Sequence, residues 1–198
     1  MDEKIMGVLL AGGQSKRFGS PKMFAERNGI AFFKHSLQAL APFVSKTCIV
    51  SLSSECKAFL HLDQNVKIIT DLEAFQSQGP LAGILSGMVS EPADWYLVVP
   101  TDTPFIEKSI IKQLLDKREN DKQAIIPNVN GYLQPLIGLY HHSTQKVILH
   151  LLENDQRSVF NLLNQITVKE CKFDDDRPFL NINHRSDYHN YIKNEENT

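Results

Sequence analysis

The sequence predicts an α/β fold, a single three-layer α/β/α domain around a mostly parallel central sheet. Three observations carry that expectation. Short apolar runs alternate with stretches of helical periodicity, the pattern of parallel βαβ units with helices on both faces of a sheet. The run Trp95–Val99 is apolar at every position, which marks a strand covered on both faces and therefore central. The chain has 198 residues, enough for one domain to bury roughly 70% of its unfolded surface.

In chain order, the first strand is expected over Ile5–Ala11, ending at the adjacent glycines Gly12 and Gly13. Phe32, Phe33, Leu37 and Leu40 recur at helical spacing, and Pro42 stops that helix. A β-branched run predicts a second strand over Thr47–Leu52, and Ser53 or Ser54 caps a short helix to about Leu60. A third strand, Val66–Thr70, stops at Asp71. Gly79-Pro80 then opens a helix of small and apolar residues over Leu81–Val89, with proline suited to its first turn.

The fourth strand, Trp95–Val99, ends in Pro100-Thr101-Asp102-Thr103-Pro104. A helix over about Glu107–Arg118 places Ile110, Ile111, Leu114 and Leu115 on one face. Strands over Ala124–Pro127 and Leu136–Tyr140 are expected to join through the turn signal Asn130-Gly131. Helices near Ser143–Leu152 and Arg157–Leu163, a segment Ile166–Phe173 and a helix over Arg185–Ile192 complete the domain, 1–193. Residues 194–198 read as a frayed polar tail.

Composition narrows the function. A net charge of -2 gives no reason to expect non-specific nucleic-acid binding, and no apolar stretch approaches a membrane span. The N-terminus carries Asp2, Glu3 and Lys4 and does not resemble a secretory signal. Cys48, Cys56 and Cys171 are odd in number and form no C-x-x-C pair, as expected of buried or inert thiols in a reducing cytoplasm.

The chemistry gathers at strand ends, where open parallel sheets bind ligands. The glycine-rich loop follows the first strand, Asp71 the third and Asp102 the fourth. From Val8 to Lys22 the chain has three glycines, Pro21, two serines and three cations, with no acidic residue. Such a loop suits a polyanion such as a nucleoside triphosphate. It is neither G-x-G-x-x-G nor a Walker A loop, which disfavours a dehydrogenase or a P-loop NTPase.

Lys16, Arg17 and Lys22 remain as charge-assisted donors to phosphate oxygens. Asp102, straight after a buried strand, reads as a Mg²⁺ ligand or as a cap for the following helix. Asp71 reads equally well as a turn-initiating aspartate. His141-His142 lack zinc-site spacing, Asp174-Asp175-Asp176 is a solvated turn, and no G-x-S-x-G nucleophile signature is present. The expected chemistry is therefore positioning and charge neutralisation.

Leu10-Ala11-Gly12-Gly13 with Ser15, Arg17, Gly19 and Lys22 resembles the L-A-G-G-x-S-x-R-M-G-x-D-K signature of the molybdenum cofactor guanylyltransferase family. Gly79-Pro80-Leu81-Ala82-Gly83-Ile84 is similar to that family's G-P-L-A-G segment, and Pro100-Thr101-Asp102-Thr103-Pro104-Phe105 to its aspartate motif. Gln134-Pro135-Leu136, Arg157-Ser158-Val159 and Asn181-Ile182-Asn183 followed by Asp187 stand where the family has comparable elements.

The resemblance implies a Rossmann-like fold in the cytoplasm and transfer of GMP from GTP to molybdenum-bearing molybdopterin, releasing pyrophosphate. It implies that Leu10, Ala11, Gly12, Lys22, Asp71 and Asp102 bind the nucleotide, and that Asp102 also holds Mg²⁺. Lys22, Asp102 and Arg17 would be catalytic, and Arg157, Asn181 and Asn183 would lie on the pterin side. Ser51 stands where some members have a nucleotide-contacting asparagine. Implied partners are GTP, the molybdopterin cofactor, and cofactor-insertion proteins or recipient molybdoenzymes, with no nucleic acid and no membrane.

Phe18 and Pro21 depart from the family pattern, the latter towards the S-P-K of related cytidylyl- and sugar-nucleotidyltransferases. A relative using CTP or a sugar phosphate, or a non-catalytic carrier of the pterin cofactor, are the alternatives.

Overall fold

The computed structural model describes residues 3–12, 18, 21–59 and 62–193. Its elements in chain order are β1 (Ile5–Leu10), β2 (Glu26–Arg27), β3 (Ile30–Ala31), α1 (Phe32–Leu40), β4 (Lys46–Val50), β5 (Val66–Ile69), α2 (Pro80–Ser90) and β6 (Trp95–Pro100). There follow α3 (Lys108–Asp116), β7 (Ala124–Val129), β8 (Tyr132–Leu133), β9 (Gly138–His141), α4 (Gln145–Glu153), α5 (Val159–Leu163), β10 (Val168–Phe173) and α6 (Arg185–Tyr188).

The sheet runs β10-β7-β9-β6-β1-β4-β5, with β8 paired to β7. Strands β1, β4, β5 and β6 are parallel neighbours, as are β7 and β10, and β9 runs antiparallel to both β6 and β7. The chain moves outward from β1 to β4 and β5, then returns to place β6 on the other side of β1. The β1/β6 boundary is thus the switch point at which an open α/β sheet leaves a crevice beyond its carboxyl ends.

Alternate residues of the strands feed two cores. Leu9, Ile49, Leu97 and Val99 face α1 and α3, whereas Met6, Val8, Val50, Tyr96 and Val98 face α2, α4 and α5. That is the three-layer arrangement the alternating runs predict. Helix α2 lies unusually close to the sheet. A Cβ on Gly87 would stand 2.7 Å from Val8 Cγ1, and one on Gly83 2.9 Å from Leu10 Cδ2. Because Val8 is β-branched and stiff, Gly87→Ala would cost about 1–3 kcal/mol in overpacking strain.

Some expectations are corrected. The helix expected from Ser53 to Leu60 is instead a turn followed by a 3₁₀ segment, Cys56–Phe59, and Leu60 lies outside the described residues. Asn130-Gly131 leads not into a long partner strand but into β8, which pairs with the end of β7. Ile137 N–H then donates to Gln134 O at 3.1 Å, so Leu136 and Ile137 form a turn before β9 begins at Gly138. The C-terminal helix is one turn, α6, that relaxes into a π-helical turn over His189–Lys193. The β2–β3 hairpin is additional. Its turn, Asn28-Gly29, has both φ angles positive, the geometry for which Asn-Gly is favoured. The expected tail, 194–198, lies outside the described residues.

Candidate active site

The carboxyl ends of β1, β5 and β6 open into a cavity of about 360 Å³. Leu10 and Gly12 line it from β1, Asp71 from the loop after β5, and Asp102 from the loop after β6; Lys22, Gly79, Gly83 and Leu136 also contribute. The three strand-end positions singled out in the sequence do meet. A Cβ on Gly12 would touch nothing within 4 Å, so the glycine faces open space.

The turn carrying Asp102 is fixed on all sides. Thr101 N–H donates to Leu10 O at 3.0 Å, which stitches the end of β6 to that of β1. Buried Ser36 and Thr103 hydroxyls both donate to Pro100 O, at 2.9 and 3.1 Å. Ile182 N–H donates to Asp102 O at 2.9 Å from the far end of the chain. The carboxylate is therefore aimed by backbone that these hydrogen bonds hold in place.

Its two oxygens differ. Oδ2 accepts from Lys22 Nζ, whereas Oδ1 is buried with no hydrogen-bond partner among the described residues. A buried carboxylate oxygen is costly unless a hydrogen-bond donor, a water or a cation satisfies it. One carboxylate suits Mg²⁺, which keeps phosphate oxygens and water for the rest of its shell. Among the described residues no group of three or more His, Cys, Asp or Glu is arranged to hold a metal by itself, so any ion here would share its shell with substrate.

Lys22 begins a 3₁₀ turn, Lys22–Phe24, that Pro21 starts with φ -60° and that Met23 anchors in the core. Pro21 thus stiffens the turn bearing the lysine and is not among the residues lining the cavity. The Lys22 ammonium also donates to Asn183 Oδ1 at 2.6 Å.

Asp71 is half-buried, and that burial raises its pKa above the ordinary carboxylate value. Its Oδ2 accepts from Ser77 N–H at 3.0 Å, a partial compensation. The loop between them closes through Gly79, whose φ of 93° only glycine adopts readily, and Pro80 starts α2 immediately after.

Two expected nucleotide contacts are placed differently. Ala11 is buried and its N–H donates to Val50 O at 2.8 Å, while Ser51 is buried behind the wall formed by Val50 and Leu52. Arg17, along with Gly13, Ser15, Lys16 and Gly19, lies outside the described residues.

A second cavity of about 370 Å³ adjoins the first and shares Pro80, Pro100 and Leu136 with it. Arg157 and Asn181 line it together with Leu133, Gln134 and Phe160. Arg157 makes an exposed ion pair with Asp155 at 3.1 Å, too solvated to hold it rigidly. Asn183 departs from expectation: it is not among the residues lining this cavity, and it bonds to Lys22 instead. Neither its spacing nor its residue type in the sequence signals that contact. The nearest signal is Asp187, whose Oδ2 accepts from the N–H groups of Asn183 and His184 at 3.0 and 2.8 Å and fixes the segment.

The remaining candidates lie apart. His141 packs against Trp95 at the amino end of β6, opposite the cavities, and burial lowers its pKa. Asp174–Asp176 are exposed, and all three cysteines are free. Among the described residues no helix is long and apolar enough to cross a membrane.

Comparison with known proteins accords with this geometry. Residues 7–168 match the MobA-like NTP transferase domain family. The "probable molybdenum cofactor guanylyltransferase" of Bacillus cytotoxicus is 35% identical over 190 residues, covering 94% of this chain and 95% of that one. The protein of the same name from Bacillus anthracis is 35% identical over 189 residues, covering 93% and 94%. Among solved structures, the molybdopterin-guanine dinucleotide biosynthesis protein A of Archaeoglobus fulgidus superposes with a TM-score of 0.80 at 21% identity, over 98% of this chain and 100% of that one.

Proposed function

The chain belongs to the MobA-like NTP transferase family and is a nucleotidyltransferase, and from that premise we propose that it transfers GMP from GTP to molybdenum-bearing molybdopterin. The observation that carries the reading is Asp102 in the wall of the first cavity, one oxygen paired with Lys22 and the other buried with no hydrogen-bond partner among the described residues. The cavity holding Leu10, Gly12 and Asp71 takes GTP; the cavity holding Arg157 and Asn181 takes the pterin phosphate.

An oxygen of the terminal pterin phosphate attacks the α-phosphorus of GTP. The bond from that phosphorus to the β-phosphate oxygen breaks, and pyrophosphate leaves with the electron pair. Like-charge approach is the barrier to be lowered. Lys22 neutralises the triphosphate, and Asp102 together with Lys22 forms a charged wall of the first cavity. Mg²⁺ held on Asp102 Oδ1 would supply Lewis-acid neutralisation of the phosphates. Asp71, half-buried and acceptor-only when ionised, grips donor groups of the nucleotide.

Asp71 offers a carboxylate to guanine N1–H and the exocyclic amine, whereas the Watson–Crick edge of cytosine presents one donor and two acceptors. Labelled GTP and CTP mixed separately with molybdopterin and Mg²⁺ test the choice of base. Pyrophosphate release with GTP is the expected result. Release with CTP alone transfers the assignment to a cytidylyltransferase, and release with neither favours a carrier.

A further inference from the structure

Three consecutive residues, Asn181, Ile182 and Asn183, touch three different parts of the site. Asn181 lines the second cavity, Ile182 N–H holds Asp102 O at 2.9 Å, and Asn183 Oδ1 accepts from Lys22 Nζ at 2.6 Å. Their position is imposed from outside the cavities. The Ile182 side chain is fully buried in a cluster with Phe18, Phe32, Phe105 and Ile192, and Asp187 takes the Asn183 N–H at 3.0 Å.

We propose that Asn183 is a positioning residue for Lys22, serving the nucleotide cavity rather than contacting the second substrate; the catalytic consequence rests on the function proposed above. A lysine ammonium only donates, so the amide oxygen must face it. The stem of Lys22 is flexible, and loss of the Asn183 acceptor would let the ammonium shift towards the Asp102 carboxylate. Asn183 supplies a second acceptor from another direction, which fixes where the ammonium stands at the cavity wall. Being neutral, the amide does this without cancelling the charge that a triphosphate needs. A second carboxylate in its place would cancel it.

Two measurements test this, one free of nucleotide. In ¹⁵N-lysine-labelled protein, the Lys22 Nζ signal is identified by its loss in Lys22→Ala. Asn183→Ala should shift that signal and speed its hydrogen exchange, whereas Asn181→Ala should leave it unchanged. Indifference of the signal to Asn183→Ala overturns the inference.

The second measurement is the affinity for fluorescent GTP with Mg²⁺. Asn183→Ala should weaken binding on the order of tenfold, the scale for one hydrogen bond to a charged group. It should add nothing in a Lys22→Ala background, because both changes act through the same ammonium. Asn181→Ala should raise KM for the acceptor and leave GTP affinity intact. A penalty for Asn183→Ala that persists without Lys22, or that falls on acceptor KM alone, overturns the inference. If the wild type binds no GTP while its lysine signal still depends on Asn183, the nucleotide reading fails and the positioning role stands.

Discussion

The two cavities that meet at Pro80, Pro100 and Leu136 are nearly equal in volume, about 360 and 370 Å³, yet unlike in construction. The first is made at strand ends. Its ionisable groups, Lys22, Asp71 and Asp102, are each held by hydrogen bonds to neighbouring side chains or backbone. The second is walled by α5, the loop after β8 and Asn181; among the described residues its one ionisable lining group, Arg157, stands exposed on a loop. Charge fixed in place before the ligand arrives can stabilise a transition state without reorganising, whereas a loosely held cation mainly captures. The difference therefore predicts that substitutions in the first cavity damage turnover and those in the second damage acceptor binding.

The largest expected effect is at Asp102. Asp102→Ala should abolish metal-dependent turnover, a loss on the order of 10³ or more in kcat. Near wild-type activity would remove Asp102 from metal binding and break the comparison at its centre. Lys22→Ala should lower kcat/KM by on the order of 10², and an unchanged value would move phosphate neutralisation to Lys16 or Arg17. Arg157→Ala should raise KM for the pterin substrate about tenfold while GTP affinity stays constant. An equal loss of GTP affinity would show that the cavities act as one.

The smallest effect sharpens the point about fixed charge. Burial raises the Asp71 pKa above its unfolded value, so folding favours the protonated form. The stability this gives is full below the unfolded pKa and is lost as pH rises through the folded one. At pH 7 the ionised carboxylate is a liability that asparagine removes. Asp71→Asn should therefore melt above wild type at pH 7, with the gap closing towards about pH 4, while GTP affinity falls. A variant that melts at or below wild type at pH 7 would show that Asp71 is well solvated.

Much of this was legible in the sequence, for identifiable reasons. The continuous run Trp95–Val99 and the break at Gly12 record burial and loop geometry directly, so β1, β6 and the positions of Asp71 and Asp102 followed. Local signals failed where tertiary context decides. Leu136 and Ile137 are as apolar as a strand, yet Leu136 walls both cavities and the strand starts at Gly138. Asn28-Gly29 is a turn signal, but the strands it joins are only two residues each, too short for an alternating pattern to mark them. Asn183 was legible as part of a motif but not as the partner of Lys22, because nothing in the spacing of two distant residues encodes contact.

The separation of that pair, 161 residues, sets an order of events during synthesis. A ribosome adding about 5–20 residues per second leaves Lys22 waiting on the order of ten seconds before Asn183 exists. Asp102, which also accepts from it, lies 80 residues downstream of the lysine. A nascent chain could form the β1–β6 half of the sheet early, but the first cavity would gain its final geometry only once residues 181–183 dock. Catalytic competence should therefore emerge late in translation, together with the burial of Ile182.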